Sequence, residues 1–248
     1  MHFHLPRPLH GWREFAGEVG IIVIGVLIAL GAESLIEDFR WRHQVSVAEN
    51  GLKEEFGQVA INSYERLILQ PCIMTRLSDL GTKLVTSKGE WKGTPQIHSV
   101  TNKTRRALLW VYIVPNRPLI TETWDNAVSS GTLNHMPQDR VLNMATMMSQ
   151  YRQFYELQEE EAKTAAQLMP LAYDVKIGSD KRLEMLSAVG DIDRINSLMT
   201  VMASQMLESI RSLHLGFTPA EIEEARRDFV KQTRVFYGSC VVDKPLSF

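Results

Sequence analysis

The chain has 248 residues, with 27 basic against 29 acidic side chains and a formal net charge of −2. That length suits one large domain or a domain with an appendage. The near-neutral balance, without a basic patch, argues against a nucleic-acid partner. Two distant cysteines, with no CxxC or Cys/His cluster, leave no zinc-site pattern.

The first element is an apolar run, EVGIIVIGVLIALGAE, from Glu18 to Glu33. Its strictly apolar part, Val19 to Ala32, makes about 21 Å of helix, short of the ~30 Å hydrocarbon core. Residues 15–36 number 22, enough to span, and place Glu18 and Glu33 near the two interfaces. Trp12 and Trp41 flank the run about 43 Å apart as a helix, a spacing that suits two interfacial anchors. The organisation expected is a short N-terminal segment (1–14), a transmembrane helix (15–36) and a helical extracytoplasmic domain (37–248). Proline is absent from Gly11 through Gln70, so the helix can continue past the membrane. Two alternatives stay open. A cleaved signal peptide would use Ala29-Leu30-Gly31 as its small-x-small site, although only Arg7 and Arg13 precede the run and Glu14 and Glu18 stand at its start. A buried core helix is the other.

Arg7, Arg13 and the terminal amine precede the span and Arg40 and Arg42 follow it, so the positive-inside bias is nearly balanced. A very short leading segment commonly stays inside. The expectation is a single-pass protein of the bacterial inner membrane, its N-terminus cytoplasmic and its domain periplasmic. Within the span, Glu18, Ile22, Gly25, Ala29 and Ala32 fall within about 40° of one line at helical spacing. Val23, Ile24, Leu27, Ile28 and Leu30 lie elsewhere. Gly25 and Ala29 form a small-xxx-small pair, which lets helix backbones approach closely in lipid, although small residues are common in membrane helices generally. This face is the expected membrane-helix contact, including contact with a second copy.

The run Glu18 to Leu30 resembles the N-terminal signature of an uncharacterised family of bacterial proteins with one N-terminal span and a helical extracytoplasmic domain. Thr123-Trp124-Asp125 through Ser130-Gly131-Thr132-Leu133 is similar to a short helix and turn in that family. The resemblance implies membrane anchoring and helical architecture and supplies no catalytic residue.

Beyond the span, Leu52, Phe56, Val59, Ser63 and Leu67 keep helical spacing. Pro71 is expected to break that helix, with Ile73, Leu77, Leu80 and Leu84 marking a second. Residues 87–95 (SKGEWKGTP) read as a loop. Residues 105–114 fit helix or strand, and Pro115 and Pro118 enforce a loop after them. Residues 121–130 read as a short helix stopped at Gly131. After Pro137, Val141, Met144, Met148, Tyr151, Tyr155, Gln158, Ala162, Ala165 and Met169 alternate steps of three and four, a long helix ending before Pro170 with Gln158 the one polar residue on its seam. Ile195, Met199, Met202, Met206, Ile210 and Leu213 repeat the pattern. Thr218, Pro219 and Glu221 write a capping box for a last helix buried through Ile222, Ala225, Phe229 and Phe236. The fold class is all-α: a transmembrane helix followed by a mostly antiparallel helical bundle.

Signals of chemistry are weak. His2, His4 and His10 are more readily unremarkable than a metal site, and Asp191 and Asp193 read as helix caps. Glu159-Glu160-Glu161 reads as a solvated face. Met144, Met147, Met148, Met199, Met202 and Met206 read as core before groove, and Trp124-Asp125-Asn126, which could line a pocket, reads first as Trp124 packing a short helix on the bundle. Cys72 and Cys240 sit at expected element ends and would tend to pair in an oxidising compartment; the alternative is two separate buried thiols. Nucleophile elbows, zinc-protease helices, phosphate loops and dinucleotide fingerprints are missing, so no catalytic, cofactor-binding or metal residue is assigned. The expected function is a membrane-anchored interaction, adaptor or scaffold protein, with the membrane and an unidentified protein as partners. A membrane-tethered ligand-binding or sensor domain is the alternative, and an enzyme with a nonlocal site ranks third.

The anchor reading is tested by the intact mass of the membrane-fraction protein. An uncleaved N-terminus is expected; a mature N-terminus at Ala32 would contradict it.

Overall fold

In the computed structural model, residues 11–96, 110–113 and 115–246 are described, without the side chains of Arg13 and Glu14. Arg7, His2, His4, His10 and most of the ambiguous run 105–114 lie outside them. The protein is mostly helical, with five α-helices and one two-stranded ribbon among the described residues.

The first helix, α1 (Trp12–Thr86), is 75 residues long and runs through Pro71 without a break. This corrects the expected stop there. Proline removes one helical N–H and crowds the carbonyl four residues back, at a cost of about 3 kcal/mol. Burial on both sides offsets it: Ile68, Leu69, Ile73 and Leu77 all lie in the core. The turn is also closed from outside. Val242 N–H donates to Ile68 O at 3.1 Å. One residue past the proline, Cys72 forms a disulfide with Cys240, Cα atoms 5.1 Å apart. The bond bridges a sequence separation of 168. A loop of that size corresponds to about 5 kcal/mol in the chain-entropy picture.

The N-terminal part of α1 stands clear of the domain. It is the one described helix long and apolar enough to cross a membrane, and none of its apolar window is buried. From Leu52 onward the helix is core, through Phe56, Val59, Leu80 and Leu84.

After α1 come β1 (Glu90–Trp91), α2 (Glu122–Ser129), a 3-10 turn (Thr132–His135), α3 (Gln138–Gln167), β2 (Val175–Lys176), α4 (Ser179–Ser212) and α5 (Pro219–Tyr237). β1 and β2 pair antiparallel, Glu90 opposite Lys176 and Trp91 opposite Val175. Gly131, at φ +75°, ends α2 in the left-handed conformation that favours glycine. Thr218 and Glu221 close the capping box of α5. α4 packs against both α1 and α3. It runs opposite to α1, since Arg182 reaches Ser87 O, Asn196 meets Met74, and Lys53 reaches Gly216 O just beyond α4. α3 runs with α1: Arg140 meets Glu49, Tyr151 meets Asn62, and Glu161 meets Arg66.

The α3 and α4 seams are core, and the methionines fill it: Met144, Met147, Met148, Met199 and Met206 are buried, while Met202 is half-buried. Four expectations are corrected. Glu161 is not solvated; it is 0% exposed and faces α1. Asp191 and Asp193 lie inside α4, which begins twelve residues before Asp191, at Ser179, and so cap nothing. On α5 the buried residues are Val230 and Thr233, whereas Phe236 is exposed and Ile222, Ala225 and Phe229 are half-buried. The loop at 87–95 contains β1.

Buried polar side chains position the irregular segment between β1 and α2. Arg66 pairs with both Glu161 oxygens at 2.7 and 2.8 Å, and Tyr112 donates to Glu161 Oε1 at 2.7 Å. Gln158 accepts from Arg117 N–H at 3.1 Å and donates to Arg117 O at 2.8 Å. Arg117 in turn pairs with Glu65 at 2.6 and 2.7 Å. Arg76 donates to Val111 O at 2.8 Å, and Tyr151 to Pro118 O at 3.1 Å. A segment without its own secondary structure must find such partners if it is to be buried.

Breaking one partner of a buried ion pair strands the other charge, whereas replacing both by apolar groups is often neutral. Glu161→Ala should therefore cost about 3–5 kcal/mol, and Arg66→Met with Glu161→Leu should recover most of the loss. Urea unfolding of the detergent-solubilised protein, followed by tryptophan fluorescence, checks this; equal losses in both variants would contradict it.

Candidate functional site

A groove lies where α1 leaves its apolar segment. It has a volume of about 860 Å³ and is walled by Trp41, His43, Val47 and Gly51 of α1 and by Asn126 and Ala127 of α2. Trp41 is five residues beyond Ile36, a rise of about 7.5 Å. A bilayer around residues 15–36 would thus meet the mouth of the groove.

Three contacts fix its walls. Glu55, buried at 4% exposure, accepts from the N–H groups of Thr123 (2.8 Å) and Trp124 (3.2 Å), so a carboxylate on α1 caps the start of α2. Gly51 permits the close approach: a Cβ there would stand 2.8 Å from Thr123 Cγ2. Past α2, the ring of His135 stacks on Trp41 at 3.9 Å between centroids, 17° from parallel. Trp41 is thereby a domain contact as well as a residue near the expected interface. Trp124 is buried against the core, and Asp125 pairs with Arg152 at 2.6 Å.

Burial pushes the Glu55 carboxyl above its usual range, and the two backbone donors oppose that shift. Burial also raises Tyr112 well above the usual phenol range. The Arg66–Glu161–Tyr112 cluster is ionic but closed: Arg66 is 2% exposed and Glu161 0%. A substrate has no path to it without movement of the surrounding helices. Among the described residues, no group of three or more His, Cys, Asp or Glu is placed to hold a metal. A smaller groove between α3 and α4, about 450 Å³, is lined by Gln150, Gln153, Leu157, Leu198, Met202 and Gln205.

The structure keeps Glu18, Ile22, Gly25, Ala29 and Ala32 exposed on one helix face and joins Cys72 to Cys240. The sequence reading missed Glu55, Glu65, Arg66 and Glu161. Part of the signal was present in α1, since Glu55, Asn62 and Arg66 are polar residues on one helical face.

A raised carboxyl pKa means that the folded state binds the Glu55 proton more tightly than the unfolded chain. Its contribution is complete below the unfolded value and is lost as pH rises through the folded one. Wild-type stability should therefore fall across that window, and Glu55→Gln should flatten the fall. Denaturation midpoints from pH 4 to 8 check this, using roughly unit steps around the usual carboxylate range; an unchanged slope in the variant would contradict it.

No family model matches the chain, and no curated protein or solved structure matches it. What the protein does has to be read from its own residues.

Proposed function

We propose that the chain is a single-span membrane protein whose helical domain engages a membrane-embedded protein partner at the bilayer surface. The observation that carries this reading is the continuity of one face of α1. At 100° per residue, Ile36, His43 and Val47 fall within about 20° of the line through Glu18, Gly25 and Ala29. The small-residue face in the apolar segment thus leads into the wall of the groove. Ile36 and Val47 are 69% and 58% exposed on that line. A partner helix packed on Gly25 and Ala29 would be delivered to the groove as it emerged. A second copy of the chain is one such partner, held parallel by the same membrane.

The domain is read as a mostly antiparallel helical bundle in which α4 opposes α1 and α3. The Cys72–Cys240 bond supports a location outside the cytoplasm, hence a periplasmic domain on a bacterial inner-membrane anchor. The two stretches resembling the uncharacterised bacterial family are the span and α2 with its following turn. Only the second of them lines the groove; the first lies in the apolar segment before it. The groove's volume also falls in the range of small-molecule sites, so a ligand-binding or sensor role is the second reading.

A photoreactive residue at Ala29 and another at Val47, each introduced singly into the membrane-bound protein, separate these readings. The same protein should be captured from both positions, and Gly25→Leu should weaken both captures. Capture of different proteins, or of lipid alone at Ala29 and nothing at Val47, would contradict the proposal.

A further inference from the structure

The last part of the chain is fastened to the domain in an unusual way. α5 fully buries two residues, Val230 and Thr233. Its tail turns back along α1, burying Val241 and Leu246. Within this unit, Arg226 bridges Glu223 at 2.6 Å and also pairs with Asp243, so helix and tail hold each other. Its attachments to the body include Val242 N–H to Ile68 O at 3.1 Å, Tyr64 O–H to Lys244 O at 2.5 Å, the Arg117 guanidinium 6.0 Å above the Phe229 ring, and half-buried Ile222, Phe229 and Tyr237 packed on the core. The covalent one is Cys72–Cys240, and Cys240 is an exposed residue. On the other side the unit joins α4 through a turn with His214 at φ +47° and Gly216 at φ +75°, a short non-helical joint.

We infer that Cys72–Cys240 is a redox latch on α5 and its tail. A thiolate of an external dithiol attacks Cys240 Sγ. The bond to Cys72 breaks, and Cys72 departs as a thiolate and takes up a proton. The second thiolate of the reagent then displaces Cys240 from the mixed disulfide, and Cys240 is protonated in turn. Two electrons pass to the protein, and the reagent ends as its own disulfide. With the bond open, the unit swings away about the 213–217 turn, while α1, α3 and α4 keep their packing. Release uncovers Tyr64 and Ile68 on α1 and wets the Glu65–Arg117 pair, a new surface beside the proline.

Hydrogen exchange on the full-length protein in nanodiscs, before and after dithiothreitol, is the test. Peptides from 219–246 should exchange about tenfold faster after reduction, while peptides within α3 and α4 should change less than about twofold. Reoxidation should restore protection. A Cys72→Ser, Cys240→Ser protein should show the reduced pattern without reductant; if it fails to fold, reduction of the native protein still decides. Unchanged exchange in 219–246 would overturn the latch. So would simultaneous loss of protection in α3 and α4, which would make the bond a global staple.

Discussion

The unbroken run of α1 past Pro71 is the constraint on which the structure depends. One helix serves as the candidate span, as one wall of the groove and as the core against which α4 and the C-terminal tail pack. A stop at residue 71 would leave Ile73, Leu77, Leu80 and Leu84 on a separate element. It would also cut off Cys72 from the helix that the tail reads. Proline is tolerated because the core grips the helix above and below it. If α1 moves as one rod, whatever rotates or displaces the apolar segment also moves the groove wall.

The second organising feature is the set of buried charges between α1 and α3. Arg66 and Glu161 meet bidentately and Tyr112 completes the carboxylate where water is excluded, while Arg66 Nε finds no hydrogen-bond partner among the described residues. Such a pair adds less to stability than its proximity suggests, because both ions lost hydration. Its stronger effect is on register. Arg66 has one partner of matching geometry, and that fixes α3 along α1. Gln158, Glu65 and Arg117 repeat the arrangement one step on and seat the segment that leads to α2. Glu55 then sets where α2 begins. The groove is thus shaped from below by polar side chains whose geometry admits little sliding.

Much of the helical pattern was legible because apolar spacing is a local property. The α3 and α4 seams, the α5 capping box and the stop at Gly131 all rest on residues within a few turns of one another. What escaped depended on distant partners. Glu161 sits in an acidic triplet, and nothing nearby in sequence distinguishes it from its solvated neighbours; Arg66, 95 residues away, does. Pro71 was overweighted for the same reason, since the packing that holds α1 straight through it comes from α4, far away in sequence. Phe236 has the right spacing for burial, but the α5 face is set by where the tail is tied to α1. The groove was only half visible, through Asn126, because its walls come together from residues 41–51 and 123–132. Gln158 is the instructive middle case: its isolation on an apolar seam was visible, but its role in clasping the Arg117 backbone was not.

The central claim is that one rigid helix carries a single face from the membrane into the groove. Nitroxide labels placed singly at each position from 29 to 51, in the full-length protein in nanodiscs, test it through their accessibility to oxygen and to a water-soluble relaxation agent. The account predicts one uninterrupted oscillation with a period of about 3.6 residues. Positions 29, 36, 43 and 47 should share a phase, and the change from lipid to water should fall between 36 and 41. A phase break between 36 and 47, or a lipid boundary beyond residue 47, would contradict it.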